Sequence, residues 1–166
     1  MEAKTTFEGL HWRFTKGKSI TKQIYVQLIG EDTRVPWKDM IFNNAARPKA
    51  KFTLCLQLQS RLLTTDKLVK WGLVMDTQCV MCRNAEETHE HLFWECILAK
   101  EVWHIVNQWA QGKPMSAIDW QHHQQEIIKR AKRKNQTAQI FKMIYTEFVH
   151  SIWIERNMRI FEKIGE

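Results

Sequence analysis

The chain has 166 residues, 44% of them hydrophobic, and a formal net charge of +7. That is enough apolar material for one domain or two small packed lobes. No stretch reaches the roughly 18 apolar residues of a membrane span, and the opening "MEAKTTFEGLHWRF" lacks the charged-then-apolar layout of a secretory signal, so an intracellular chain with no membrane partner is expected. The excess of cations favours acidic partners, nucleic acid first among them.

In chain order, "HWRFTKGKSITKQIYVQLIG" opens with a short alternating run whose "TKGK" reads as a tight turn, the material for a short N-terminal hairpin. A helix capped by Thr21 and stopped at Gly30 follows, with Ile24 and Leu28 on one face. "VPWKDMIFN" reads as a helical turn led by Trp37. In "RPKAKFTLCLQLQSRLLTTDKLVKWG", Pro48 starts one helix, Thr65 caps another, and Gly72 closes it in the left-handed conformation. "FTLCLQL" also alternates like a strand. The helix is preferred because Phe52, Cys55, Leu56 and Leu62 line one face.

Further on, Val102, Ile105, Val106 and Trp109 recur at helical spacing before the break "QGKP". Ser116 and Asp119 resemble a capping pair. Two helices are expected at 117–134 and 137–162, separated around "NQT" and packed antiparallel.

The residues that carry chemistry lie in "CVMCRNAEETHEHLFWEC" at 79–96, which holds three of the four cysteines. In a reducing compartment such clusters serve metal or redox chemistry more often than disulfides. Cys79 and Cys82 form a C-x2-C pair; eight residues later comes His91, then Cys96 after four more. The pair lets two thiolates of a tight turn face one ion, and the H-x4-C gap suits a turn that returns a nitrogen and a sulfur. Four such ligands close a tetrahedral Zn2+ site with no position for water, which makes it structural.

His89 competes with His91 for the fourth place; His91 is preferred because the "LFW" after it starts a buried segment, which leaves His89 as an exposed polar residue. Cys55 reads as a small core residue. A redox role finds no strand before Cys79. Glu86 and Glu87 read as loop charge, and no nucleophile with a base, carboxylate pair or phosphate loop suggests an enzyme.

"RPKAKFTLCLQLQSRLLTTDKLVKWG", "CVMC", "EETHEHLFWEC" and their spacing resemble the zinc-binding domain that follows the reverse transcriptase in plant LINE-type (non-LTR) retrotransposon polyproteins. Upstream "GKSITKQIY" and "PWKDMIF", and downstream "IWIERNMRIF", are similar to the flanking segments of that family, the last to the stretch before the ribonuclease H domain. The resemblance implies Cys79, Cys82, His91 and Cys96 as ligands of one zinc ion, and a role in gripping RNA or DNA. This sequence departs from the family pattern at Cys55, Leu63 and Ile20, none of them a ligand.

"KRAKRK" at 129–134 places Lys129, Arg130, Lys132, Arg133 and Lys134 on an arc opposite Trp120, Ile127 and Ala131 when wound as a helix. Such a run serves phosphate contact or nuclear import, or is only a solvated face whose cations suit a helix C-terminus. Trp71, Trp94 and Trp103 suit either a core or stacking on unpaired bases.

In the last helix Ile140, Phe141, Ile144, Phe148 and Ile152 lie on one side, Val149, Trp153 and Ile160 on another. It is therefore either a central core helix or one that docks a protein partner or a second copy.

The expected architecture is a mainly α domain with one CCHC zinc-stapled loop. Residues 1–112 form the zinc-binding region and 113–166 a helical pair packed on it. The expected partner is RNA or DNA in the nucleus, with the cytoplasm as the other location.

Overall fold

The computed structural model describes residues 4–7, 10–13, 35–73, 76–110, 112, 114–115 and 119–162. The chain divides into two units, 1–35 and 36–166. In the first, strands β1 (Lys4–Phe7) and β2 (Leu10–Arg13) pair antiparallel, with Lys4 opposite Arg13 and Phe7 opposite Leu10. β2 falls on the alternating run of the sequence. The "TKGK" turn and the helix expected from Thr21 to Gly30 lie outside the described residues.

The second unit is mainly α. Helix α1 (Lys38–Ile41) is the turn led by Trp37. Helix α2 (Pro48–Leu58) starts with Pro48 in its first turn, where a missing N–H costs nothing, so "FTLCLQL" is helix and not strand. Its buried face is Ala50, Thr53, Leu54, Gln57 and Leu58, while Phe52 faces solvent. The face anchored on Phe52 is thus corrected by tertiary packing: the helix is apolar nearly all round, so its own pattern does not choose the inward side.

Helix α3 (Thr65–Lys70) begins one residue earlier than expected, with Thr64 rather than Thr65 at the cap position. Gly72, at φ +87°, ends it in the left-handed conformation. There the Gly72 N–H bonds the Val69 carbonyl at 2.9 Å and the Leu73 N–H bonds the Leu68 carbonyl at 3.1 Å, which satisfies two carbonyls the helix leaves open.

Helix α4 (Ile97–Trp109) buries Ala99 and packs Leu98, Val102 and Trp103 on the core. Ile105 and Trp109, expected on its inner stripe, are exposed. Helix α5 (Trp120–Ala131) is capped by Asp119, whose carboxylate accepts the His122 N–H at 2.8 Å; it starts later and stops earlier than the expected 117–134. Helix α6 (Gln136–Glu162) is capped in the same way by Asn135, whose side-chain oxygen accepts the Ala138 N–H at 3.0 Å.

Helix α6 is the axis of this unit and touches α2, α4 and α5. Tyr145, Val149 and Ile152 are buried in it, with Leu54 of α2 and Ile127 of α5 in the same core. His123 meets Tyr145, and farther along α5 Arg130 lies over Phe141, so α5 and α6 run antiparallel. Polar groups pin the loop after α1 to the same axis. The Asn44 amide donates to the Met40 carbonyl (2.7 Å) and the Thr146 hydroxyl (2.7 Å), and buried Lys142 donates to the Asn43 carbonyl at 2.9 Å.

Candidate metal centre

The loop between α3 and α4 is built by two local devices. Gln78 and Glu86 form a single antiparallel bridge. Within it the Cys79 N–H bonds the Ala85 carbonyl and the Arg83 N–H bonds the Cys79 carbonyl, each at 2.8 Å. Arg83 takes a left-handed conformation (φ 55°), which lets the chain reverse with both cysteines on the inner side of the knuckle.

The second device is helical. Thr88 caps a turn by accepting the His91 N–H at 3.0 Å. The turn then widens to a π turn (His91–Glu95), closed by the Cys96 N–H bonding the His91 carbonyl at 2.7 Å. Five residues of α-helix would rotate Cys96 about 140° away from His91 at roughly 100° per residue. An i→i+5 turn brings the two back together, a recurrent use of π turns at functional sites. Helix α4 starts immediately after Cys96.

These devices bring Cys79, Cys82, His91 and Cys96 together, with one ligand atom from each lying within 4.8 Å of all the others. The His91 Nε2 is 3.2 Å from the Cys82 Sγ, and its Nδ1 is 3.7 Å from the Glu95 carboxylate, a partner that orients the ring. Tetrahedral zinc, with bonds of about 2.0–2.3 Å, needs ligand atoms roughly 3.5–3.8 Å apart, so the cluster is close enough to bind one zinc ion.

Its electrostatics agree. A hydrogen bond between the Cys79 and Cys96 side chains, with burial, raises the Cys79 thiol far above the usual range, and the same bond lowers Cys96 to about 5. Two adjacent buried thiolates repel each other; a divalent cation between them allows both to ionise.

His89 is not at this site and, contrary to the sequence expectation, is not exposed. It packs against Phe93 (5.3 Å between ring centroids) and Trp120 (5.4 Å), and burial lowers its pKa to about 4. The turn begun at Thr88 places 89 and 93 on one side, toward the core.

Glu87 also departs from the reading as loop charge: it is fully buried. Its carboxylate accepts the Thr65 N–H at the start of α3 (3.0 Å), the Arg156 Nε (3.0 and 3.1 Å) and the Arg156 Nη2 (2.6 Å). Arg156 lies over the Trp153 ring at 4.9 Å, and Arg159 reaches the Met81 carbonyl at 3.4 Å. The metal loop is thus tied to α3 and α6. The signal for this in the sequence is an arginine embedded in the apolar run "SIWIERNMRIF", which demands a buried acid.

The basic cluster is distributed differently from the expected arc. Because α5 ends at Ala131, Lys132, Arg133 and Lys134 lie beyond its last turn, exposed like Lys129. Arg130 is half-buried, bonded to Glu126, to the Pro114 carbonyl (2.7 Å) and over the Phe141 ring (5.6 Å). Ile127 and Ala131 are buried as expected. Of the tryptophans, Trp103 packs against Phe141, Tyr145 and Phe148, Trp94 against His123, and Trp71 is exposed.

Among known families, the model described as zinc-binding in reverse transcriptase matches residues 20–103, a span that contains all four clustered ligands. Searches of curated proteins and of solved structures return no match.

Proposed function

The chain belongs to the family of zinc-binding domains of reverse transcriptases, and from that premise we propose that it is a non-catalytic module, zinc-stapled, that holds RNA or DNA through its basic surface. Zinc supplies folding energy here: structural sites contribute on the order of 10–16 kcal/mol, comparable with the whole net stability of a domain. Cys79, Cys82, His91 and Cys96 hold the ion, and Glu87 carries the rigidity of the loop into α3 and α6. The LINE-type, plant origin and the nuclear location belong to the same proposal, as does the reading of 113–166 as the segment that precedes ribonuclease H.

The observation that carries the nucleic-acid reading is the group of exposed cations Lys129, Lys132, Arg133 and Lys134 around the end of α5, in a chain of net charge +7. Contacts of this kind hold phosphates without reading bases. The test is a salt titration of binding to RNA and DNA oligonucleotides. Affinity should fall steeply between low and physiological salt, and the slope should flatten in Lys132→Ala/Arg133→Ala.

A second reading, a protein-interaction or self-association module, is favoured by one observation. Ile140, Met143, Ile154, Met158 and Phe161 leave α6 with an exposed apolar stripe. An apolar interface of that kind should hardly respond to salt.

A further inference from the structure

Helices α4, α5 and α6 enclose a cleft of about 760 Å³ whose two sides differ in chemistry. One wall is a single face of α5, where His122, Gln125 and Lys129 follow one another at helical spacing, continued by Arg133 just beyond the end of the helix. The opposite wall is largely apolar: Trp103 of α4, with Asn107 beside it, and Ile140, Phe141 and Ile144 of α6, one side of the Phe141 ring being taken by the Arg130 guanidinium. Glu126, the carboxylate among the described lining residues, is bonded to Arg130, so it does not cancel Lys129 and Arg133. Neither of those two has an ion-pair partner among the described residues.

A cleft of this volume takes a small-molecule-sized group and is too narrow for a duplex. Cations along one side and an aromatic-apolar surface along the other is the arrangement that suits a phosphate joined to a flat ring. We propose that this cleft seats an unpaired nucleotide of a single strand, with its base on the Trp103–Ile140–Phe141 wall and its phosphates at Lys129 and Arg133. The inference rests on the nucleic-acid reading and adds where the strand lies and that the strand is unpaired. Lys132 and Lys134, which do not line the cleft, then act only as distant charge.

The test uses the full zinc-loaded chain and labelled oligouridine, oligothymidine and a duplex of equal length. Three variants are compared, each checked for zinc content and helicity: Lys129→Ala/Arg133→Ala, Ile140→Glu, and Lys132→Ala/Lys134→Ala. Ile140 is 42% exposed, so a carboxylate there is tolerated by the fold but sits where the base would lie; Ile140→Ser serves if Ile140→Glu loses zinc.

The expected result is preference for single strands over duplex and a loss of about ten-fold or more in each cleft variant, with a smaller loss for Lys132→Ala/Lys134→Ala. The salt slope of Lys129→Ala/Arg133→Ala should flatten by about 1.4, two contacts at roughly 0.7 each. Comparison of oligouridine with oligothymidine shows whether RNA or DNA is the better occupant. If the cleft variants bind like wild type while Lys132→Ala/Lys134→Ala loses binding, the cleft assignment is overturned and the basic-surface reading stands. If no oligonucleotide binds at any salt, or an acidic peptide occupies the cleft instead, both fall.

Discussion

Arg156→Met removes the cation from a pair in which the arginine side chain is 5% exposed and the glutamate 0%. Methionine matches the stem in volume but offers no donor. Of the donors that reach the Glu87 carboxylate among the described residues, only the Thr65 N–H then remains. Breaking a buried pair from one side costs about 3–5 kcal/mol, because an uncompensated charge remains in the core. Against a typical net stability of about 5–15 kcal/mol, that is roughly a fifth or more of the whole.

The contact of the guanidinium with the Trp153 ring is lost as well. Urea unfolding in zinc-replete buffer, followed by circular dichroism, measures the change. A cycle with Glu87→Gln and the double variant should show coupling of about 2 kcal/mol, near the upper part of the range for residues in contact. Zinc affinity should fall by about 10- to 100-fold, since Glu87 stands in the loop between Cys82 and His91 and orients it. Arg47→Met, which breaks an exposed pair with Glu147, is the control and should barely move the midpoint. A loss below about 1 kcal/mol for Arg156→Met would place the buried pair with surface pairs and refute the reasoning.

Cys82→Ser and His91→Ala should lose the bound zinc and raise amide hydrogen exchange through 76–96, whereas His89→Phe should retain a full equivalent of metal; inductively coupled plasma analysis separates the cases. His123, in the core beside Tyr145 at 3.1 Å, has its pKa lowered to about 4 by burial and by the Arg130 charge. Its folded value is depressed, so the unfolded chain takes up the proton first and stability is lost as pH falls from about 6.5 towards 4. A shift of that size corresponds to about 3 kcal/mol. The part of the loss due to this ring is the part that disappears in His123→Phe, read by unfolding at pH 7, 6 and 5. Asn135→Ala should cost about 1 kcal/mol through loss of the α6 cap, seen as a fall of a few degrees in Tm.

The ligand set was legible because four soft ligands at such short fixed spacings form a pattern with few other uses. What joins His91 to Cys96 was not: an i→i+5 turn has no residue signature, and "HLFWE" reads equally well as α-helix. Helix existence was legible at Pro48 and Gly72, where the chemistry of one residue decides. Inner faces were not, as Phe52, Ile105 and Trp109 show. In an apolar helix the inward side is set by its neighbours, and α6 in turn buries Lys142, Thr146 and Arg156, whose partners lie far off in the chain. Glu87 escaped for the same reason: one acid in a polar loop gives no hint that its partner waits 69 residues later.

X-ray absorption at the zinc edge of the purified protein tests the central claim most directly. One zinc per chain is expected, with three sulfurs at about 2.3 Å and one nitrogen at about 2.0 Å, and with one sulfur lost in Cys96→Ser. An oxygen-dominated shell, fewer than three sulfurs in the wild type, or a folded protein that holds no zinc would contradict it.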